Sequence, residues 1–269
     1  MRLRNLPFAL AVLSCGFVPT ASAQQTSTVV TQNPTAVMLA ARSVALLSGG
    51  RQIADVTLTG NATRVAGSDT GSGTATLKAL GTSSSRIDLS LSDGTFSEVR
   101  TFPNGVPEGR WLAPNGSYNR MVMHNCFTDA AWFFPALTVL SQASNPNLSI
   151  TYVGPGTKNG IAVEHLQFAH SSGAQVPGFG DPLLTLSAIN VYLDSSSLLP
   201  VAFAFDTHPD NNALLNIPVE VYFSNYQAVN GAQVPFHIQK FLNGSLFLDL
   251  TIQSAALNSG LTVSAFSAN

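Results

Sequence analysis

The feature that most constrains this 269-residue chain lies in residues 219–253, where two Asn-Gly pairs, Asn230-Gly231 and Asn243-Gly244, separate three runs of alternating apolar and polar residues. Asn-Gly supplies the positive φ that a tight hairpin needs at both central positions, so three antiparallel strands follow. Parity tests their pairing, because a one-residue slip turns every side chain to the other face. A two-residue turn at Asn230-Gly231 sets Phe223 opposite Ile238 and Val219 opposite Leu242, which brings the apolar sets together. The same turn at Asn243-Gly244 would set Ile238 opposite Asp249, mixing core and solvent residues. A three-residue loop, Leu242-Asn243-Gly244 with Gly244 left-handed, removes the conflict by setting Ile238 opposite Leu248 and Phe236 opposite Leu250. A bulged second turn is therefore expected. Glu220, Tyr222, His237, Gln239, Phe247 and Asp249 are left for the opposite face, a mixed set suited to a sheet that is wet or thinly covered on that side.

Period-two alternation extends upstream, with strands expected over residues 54–58, 74–79, 87–91, 96–102, 148–153, 161–170, 184–194 and 200–206. Asp93-Gly94, Asn104-Gly105 and Asn115-Gly116 mark reversals between them. Residues 173–182 and 207–216 read as irregular rim loops. Two helices interrupt this pattern. Asn33 as N-cap, Pro34 at the first helical position and Gly49-Gly50 past the end define the first. Its apolar stripe, Val37, Ala40, Ala41, Val44 and Leu47, is flanked by Met38, Ala45 and Leu46, so little of its circumference is polar and a buried position is expected. The second starts at Thr128 with Asp129 in its first turn; Cys126, Ala130, Phe133, Leu137 and Leu140 share a face, and Pro135 implies a kink or a break.

Arg2 and Arg4, an apolar run over residues 6–18 and Ala21-Ser22-Ala23 have the form of a secretory leader, too short for a membrane span. Cleavage would leave residues 24–269 as one β-rich domain, periplasmic or extracellular. Cys15, after Val12-Leu13-Ser14, weakly resembles a lipoprotein box, but the A-x-A site beyond it fits better. Loss of two arginines takes the formal charge from -2 to -4, which excludes a strongly basic nucleic-acid surface. Only Cys126 then remains, so no internal disulfide can form, and a buried inert thiol is expected.

No constellation in the sequence identifies a catalyst. G-x-S-x-G, H-E-x-x-H and C-x-x-C are absent, and Gly71-Ser72-Gly73 lacks the strand-to-helix setting of a phosphate loop. His124 and Cys126 lie close in sequence, but nucleophile and base normally come from distant segments. His165 and His170 fall on opposite faces of one strand and cannot share a metal through it. The run Asp206-Thr207-His208-Pro209-Asp210 reads as a solvated turn rather than a cation site. Neither a metal nor a cofactor is expected.

Several motifs together resemble the LolA/LolB-like group of periplasmic lipoprotein carriers and their secreted relatives. They are the helix ending at Gly49-Gly50, Ser72-Gly73-Thr74-Ala75-Thr76-Leu77-Lys78, Ser85-Arg86-Ile87-Asp88-Leu89 before Asp93-Gly94, Tyr192-Leu193-Asp194 before Leu199-Pro200, and Phe223-Ser224-Asn225-Tyr226 leading to Val234-Pro235-Phe236. The resemblance implies an unclosed barrel, a strongly curved antiparallel sheet whose inner face is covered by helices and can hold acyl chains. The expected fold is thus α+β, roughly ten antiparallel strands wrapping two apolar helices. The expected function is an exported, non-enzymatic carrier or binding domain for a lipid-like ligand, with Trp132, Phe133, Leu137, Phe236, Ile238, Leu248 and Leu250 as wall residues. A structural or interaction domain with a filled core, and a hydrolase with an unrecognised site, are the alternatives. Clustering of His124, His165 or His237 with a carboxylate and a Ser or Cys in a pocket would favour the hydrolase.

Overall fold

A computed structural model describes residues 30–174, 176–177 and 180–267. The leader reading, Cys15 included, falls outside them. Helix α1 (Pro34–Ser48) forms where the caps place it: the Asn33 side chain accepts the Ala36 N–H at 3.1 Å, and Gly49 takes φ 61°. Gly50 N–H closes the end on the Ala45 carbonyl at 3.0 Å. The buried face is Ala36, Leu39, Ala40, Ser43 and Leu47. Met38 is 50% and Leu46 45% exposed, so α1 covers the core from outside instead of lying within it.

Among the described residues, thirteen antiparallel strands form one sheet. In chain order they are β1 (Asp55–Ala66), β2 (Asp69–Leu80), β3 (Ser84–Leu91), β4 (Gly94–Thr101), β5 (Glu108–Leu112), β6 (Tyr118–Arg120), β7 (Leu148–Lys158), β8 (Ile161–His170), β9 (Ile189–Asp194), β10 (Pro200–Thr207), β11 (Ile217–Val229), β12 (Ala232–Leu242) and β13 (Ser245–Leu257). Apart from β6 and β7, neighbours in sequence are neighbours in space, and β1 joins β13, which leaves β6 and β7 as the two ends. The count exceeds the expected ten, in part because β5 and β6 are short strands. Helix α2 (Pro182–Leu186) also replaces the start of the strand expected over 184–194: Asp181 caps it by accepting the Leu183 N–H at 3.0 Å. Laid flat, thirteen strands at about 4.8 Å spacing would span about 58 Å. Yet inward side chains from β1–β3 and β7–β13 belong to one buried cluster with α1. The sheet must therefore curl, and since β6 and β7 do not pair it stays unclosed. Gln32 bridges Ile150 and covers the β7 edge.

The first hairpin pairs Phe223 with Ile238 and Val219 with Leu242 as parity requires, with Asn230 at φ 50° and Gly231 at φ 87°. The second corrects the expectation. Leu242 pairs with Ser245 across a two-residue Asn243-Gly244 turn, and the extra residue enters further along, at Phe247, between the Lys240–Leu248 and Phe241–Leu246 pairs. Ile238 then faces Leu250 instead of Leu248. A bulge inside the strand restores the apolar match as well as a longer loop would, and it lets the turn keep its preferred two-residue form. It also turns Phe247 to the inner face, contrary to the outer position expected for it.

The second apolar helix does not form. Residues 128–140 are all buried, but they run as irregular chain with 3-10 turns at Pro135–Leu137 and Val139–Gln142. Phe134 sits at φ -133°, ψ 91°, since the residue before a proline is driven out of the helical region. A buried irregular segment must find partners for its backbone. Asp129 Oδ2 accepts the Val139 N–H at 3.1 Å, Phe134 N–H reaches the Ala131 carbonyl at 2.8 Å, and Thr138 Oγ1 donates to the Pro135 carbonyl at 2.7 Å.

Candidate functional site

Four charged residues occupy positions whose parity points inward. Lys240 follows Ile238 by two on β12, Glu98 and Arg100 follow Phe96 by two and four on β4, and Arg64 stands opposite Leu248 from β1. With the β13 bulge, Arg64, Glu98 and Lys240 frame a cavity of about 280 Å³ between β3–β5 and the β12–β13 hairpin, while Arg100, paired with Glu98, does not line it. Its walls are mostly apolar: Ile87, Leu89, Phe96, Trp111, Leu112, Trp132, Phe247 and Leu248. That is slightly below the roughly 300–1,000 Å³ of drug-sized ligand sites. Around it the charges are unequally matched. Arg100 Nε donates to Glu98 at 3.0 Å, and Arg64 lies 3.6 Å from Asp93 with its guanidinium 4.2 Å from the Phe96 ring centre. The Lys240 ammonium lies 4.4 Å above the Trp132 ring and, among the described residues, pairs with no carboxylate within 4.0 Å. Burial pushes Lys240 below its ordinary value, against the pull of Glu98. Burial also works to raise Glu98, but Arg100 and Lys240 outweigh it and hold this carboxyl low.

Of the seven wall residues expected from the sequence, Trp132 and Leu248 line this cavity. Phe133, Leu137, Ile238 and Leu250 are buried in the packed core, and Phe236 packs partly buried against it. Arg64, Glu98 and Lys240 were not anticipated, although parity alone places all three on the apolar face.

A second cavity, about 520 Å³, opens at the seam where the sheet fails to close, between the β4–β5 connection and the ends of β7 and β8. Arg100, Glu108, Cys126, Asp129 and His170 contribute to its wall. Burial drives Asp129 up to about 7, against the Val139 N–H and Arg100. Burial likewise raises Cys126 and lowers His170, so both favour their neutral forms. Cys126 Sγ donates to the Val122 carbonyl at 3.4 Å, while His124 Nε2 lies 3.1 Å from the Pro209 carbonyl and stacks edgewise on His208. His124 and Cys126 are thus engaged elsewhere and do not form a nucleophile–base pair.

On the outer face Ser224 Oγ lies 3.1 Å from His237 Nδ1, and His237 Nε2 lies 3.0 Å from Asp249 Oδ1, which is the residue set of a hydrolytic triad. Neither cavity includes any of the three. Acyl transfer also needs oxyanion donors at the reacting carbonyl. Ser224 and His237 are paired within the β11–β12 ladder, and Gln239 Nε2 donates to the other Asp249 oxygen at 2.7 Å. The arrangement is a cross-strand polar relay outside both cavities. His165 bonds Asn190 at 2.9 Å and stacks on Tyr192, whereas His170 faces the seam, so the two lie on opposite faces as expected. Among the described residues no three His, Cys, Asp or Glu side chains gather as a metal site, and no helix is long and apolar enough to cross a membrane. His208, expected in a solvated turn, is buried at 4% exposure.

No family model and no curated protein matches the sequence. Solved structures do. A putative outer membrane lipoprotein-sorting protein domain from Vibrio parahaemolyticus superposes with TM-score 0.53 at 12% identity over 86% of this chain and 96% of that one. A DUF1329 family protein from Desulfovibrio piger gives 0.52 at 11% identity, over 88% and 98% of the two chains. A LolA superfamily protein from Nitrosomonas europaea gives 0.50 at 11% identity, over 87% and 97%. At such identities the likeness concerns the fold, and with the unclosed sheet and its inner apolar filling it establishes that this chain has the LolA/LolB-like fold.

Proposed function

We propose that this protein is an exported carrier or binding domain for a lipid-like ligand, held in the cavity between β3–β5 and the β12–β13 hairpin. One observation carries the reading: eight apolar side chains line about 280 Å³ of space on the inner face. Dry apolar cavities bind apolar guests, and each methylene moved out of water contributes about 0.8 kcal/mol. The fold likeness supports it, since one of the similar structures is described as a lipoprotein-sorting domain. The leader-like residues 1–23 support export. The alternative of a filled structural domain draws on Phe133, Leu137, Ile238 and Leu250, which are consumed by packing.

Native mass spectrometry and organic extraction of the exported protein separate the two. A copurified amphiphile, and a raised melting temperature when delipidated protein is given long-chain alcohols or acids, are expected. Absence of both leaves the filled-core reading in place and removes this one.

A further inference from the structure

The cavity is apolar in its walls but not in its charge. Arg100 is taken by Glu98 and Arg64 by Asp93, so among the four inward charges and Asp93 one positive charge is left over, that of Lys240. Its ammonium sits over the Trp132 ring, a contact that satisfies charge but none of its three N–H donors. Trp132 is 2% exposed, and its Nε1–H is buried without an acceptor among the described residues. One buried donor, the Trp132 indole N–H, and the half-buried Lys240 ammonium beside it therefore lack acceptors among the described residues, on two side chains that line one cavity. A buried donor left without an acceptor is destabilising, so the arrangement favours a guest that brings one.

We infer that the cavity selects a single-chain amphiphile with an anionic headgroup, the head accepting from Lys240 Nζ and the Trp132 indole N–H while the chain lies against Phe96, Phe247 and Leu248. This rests on the binding function proposed above and specifies its ligand. A carboxylate and a phosphate monoester share the required chemistry, an anionic oxygen able to accept from both donors. The volume argues for one chain, since about 280 Å³ is small even for a drug-sized molecule. Glu98, which also lines the cavity, disfavours an anion, but Arg100 donates to it at 3.0 Å and offsets its charge.

The chain has two tryptophans, and Trp111 and Trp132 both line this cavity, so fluorescence reports on it directly. Delipidated full-length mature protein is titrated with ω-bromoundecanoate, ω-bromoundecyl phosphate and ω-bromoundecanol, whose bromine quenches an adjacent indole. The acid, the phosphate or both are expected to bind at least about tenfold tighter than the alcohol, the step a charged hydrogen bond supplies. Lys240→Met is expected to remove that preference, and an unchanged far-UV circular dichroism spectrum shows that the variant is folded. Trp132→Phe, read through Trp111, is expected to reduce the preference in part. Equal binding of all three probes, or a preference that survives Lys240→Met, overturns the headgroup assignment and leaves the apolar-ligand reading intact. Quenching by none of them removes both.

Discussion

Asp129 shows how one residue is set by an irregular segment that sequence periodicity could not describe. A helix would have left this carboxylate in a solvated first turn. Instead Pro135 breaks the run, the chain folds back, and Asp129 serves as acceptor for Val139 within the buried segment. Its proton affinity rises, to about 7, because burial penalises the charged form. Folded and unfolded chains are both protonated below about pH 4 and both ionised above about pH 7. Between those limits the unfolded state releases its proton first, so this residue lowers stability as pH rises, by on the order of 4 kcal/mol in total. Asp129→Asn keeps an acceptor for Val139 and cannot ionise. It should therefore melt higher than wild type at pH 8, with the advantage shrinking towards pH 4; a variant that melts lower at pH 8 would show that the carboxylate is stabilised in its charged form. The charged residues of the cavity were more legible than Asp129. Lys240, Glu98 and Arg64 share parity with apolar neighbours on three strands, and a charge in such a register is costly unless it has a use. What the sequence could not show was that β4, β12 and β1 bring them to the same end of the sheet.

At the scale of elements, local turn chemistry was readable and long-range register was less so. Asn230-Gly231 and Asn243-Gly244 make the turns their residues demand, and a third pair, Asn159-Gly160, joins β7 to β8 with φ 51° and 78° by the same logic. The Phe247 bulge was not readable, because a shift of the extra residue from the loop into the strand preserves parity. The two ends of one long-range contact were also separately visible. Gly49 closes α1, Asn230-Gly231 closes the β11–β12 hairpin, and the fold presses one against the other: a side chain at Gly49 would collide with the Gly231 carbonyl oxygen. Arg51 Nη1 ties the same junction by donating to the Asn230 carbonyl at 3.2 Å. Gly244 has φ 76° but open space around it. The two glycines should therefore respond differently in denaturant unfolding. Gly244→Val should cost about 1–3 kcal/mol through backbone strain alone, while Gly49→Ala should cost more than a strained alanine in open space, because α1 must also shift off β12. Equal losses at Gly49→Ala and at Gly244→Ala would show that the helix and hairpin are not in rigid contact.

For the whole molecule, the order of the strands determines where the structure is firm and where it can admit a guest. The terminal strand β13 pairs with β1, so the two long strands nearest the chain ends lie at the centre of the sheet, and β1, β11, β12 and β13 each have a partner on both sides. Asp55 reinforces this closure by accepting from Ser259, Gly260 and Leu261, which anchors the chain beyond β13 to the start of β1. The opposite end is thin. β6 has three residues, one neighbour and the exposed Tyr118, and β5 carries Trp111 at 44% exposure. The cavity bridges these regimes, with Lys240 and Leu248 on the firm strands and Phe96, Trp111 and Leu112 on β4 and β5. Opening free energies follow pairing and burial, so amide exchange should be slowest in β1, β12 and β13 and fastest in β5 and β6. An anionic amphiphile seated in the cavity would join the two regions, and its binding energy is available only to the closed arrangement. Exchange in β4 and β5 should slow on adding ω-bromoundecanoate while the central strands change little. Uniform slowing across the sheet would instead mean that the ligand stabilises the fold globally without closing this end, and no slowing in β4 or β5 would place the ligand elsewhere.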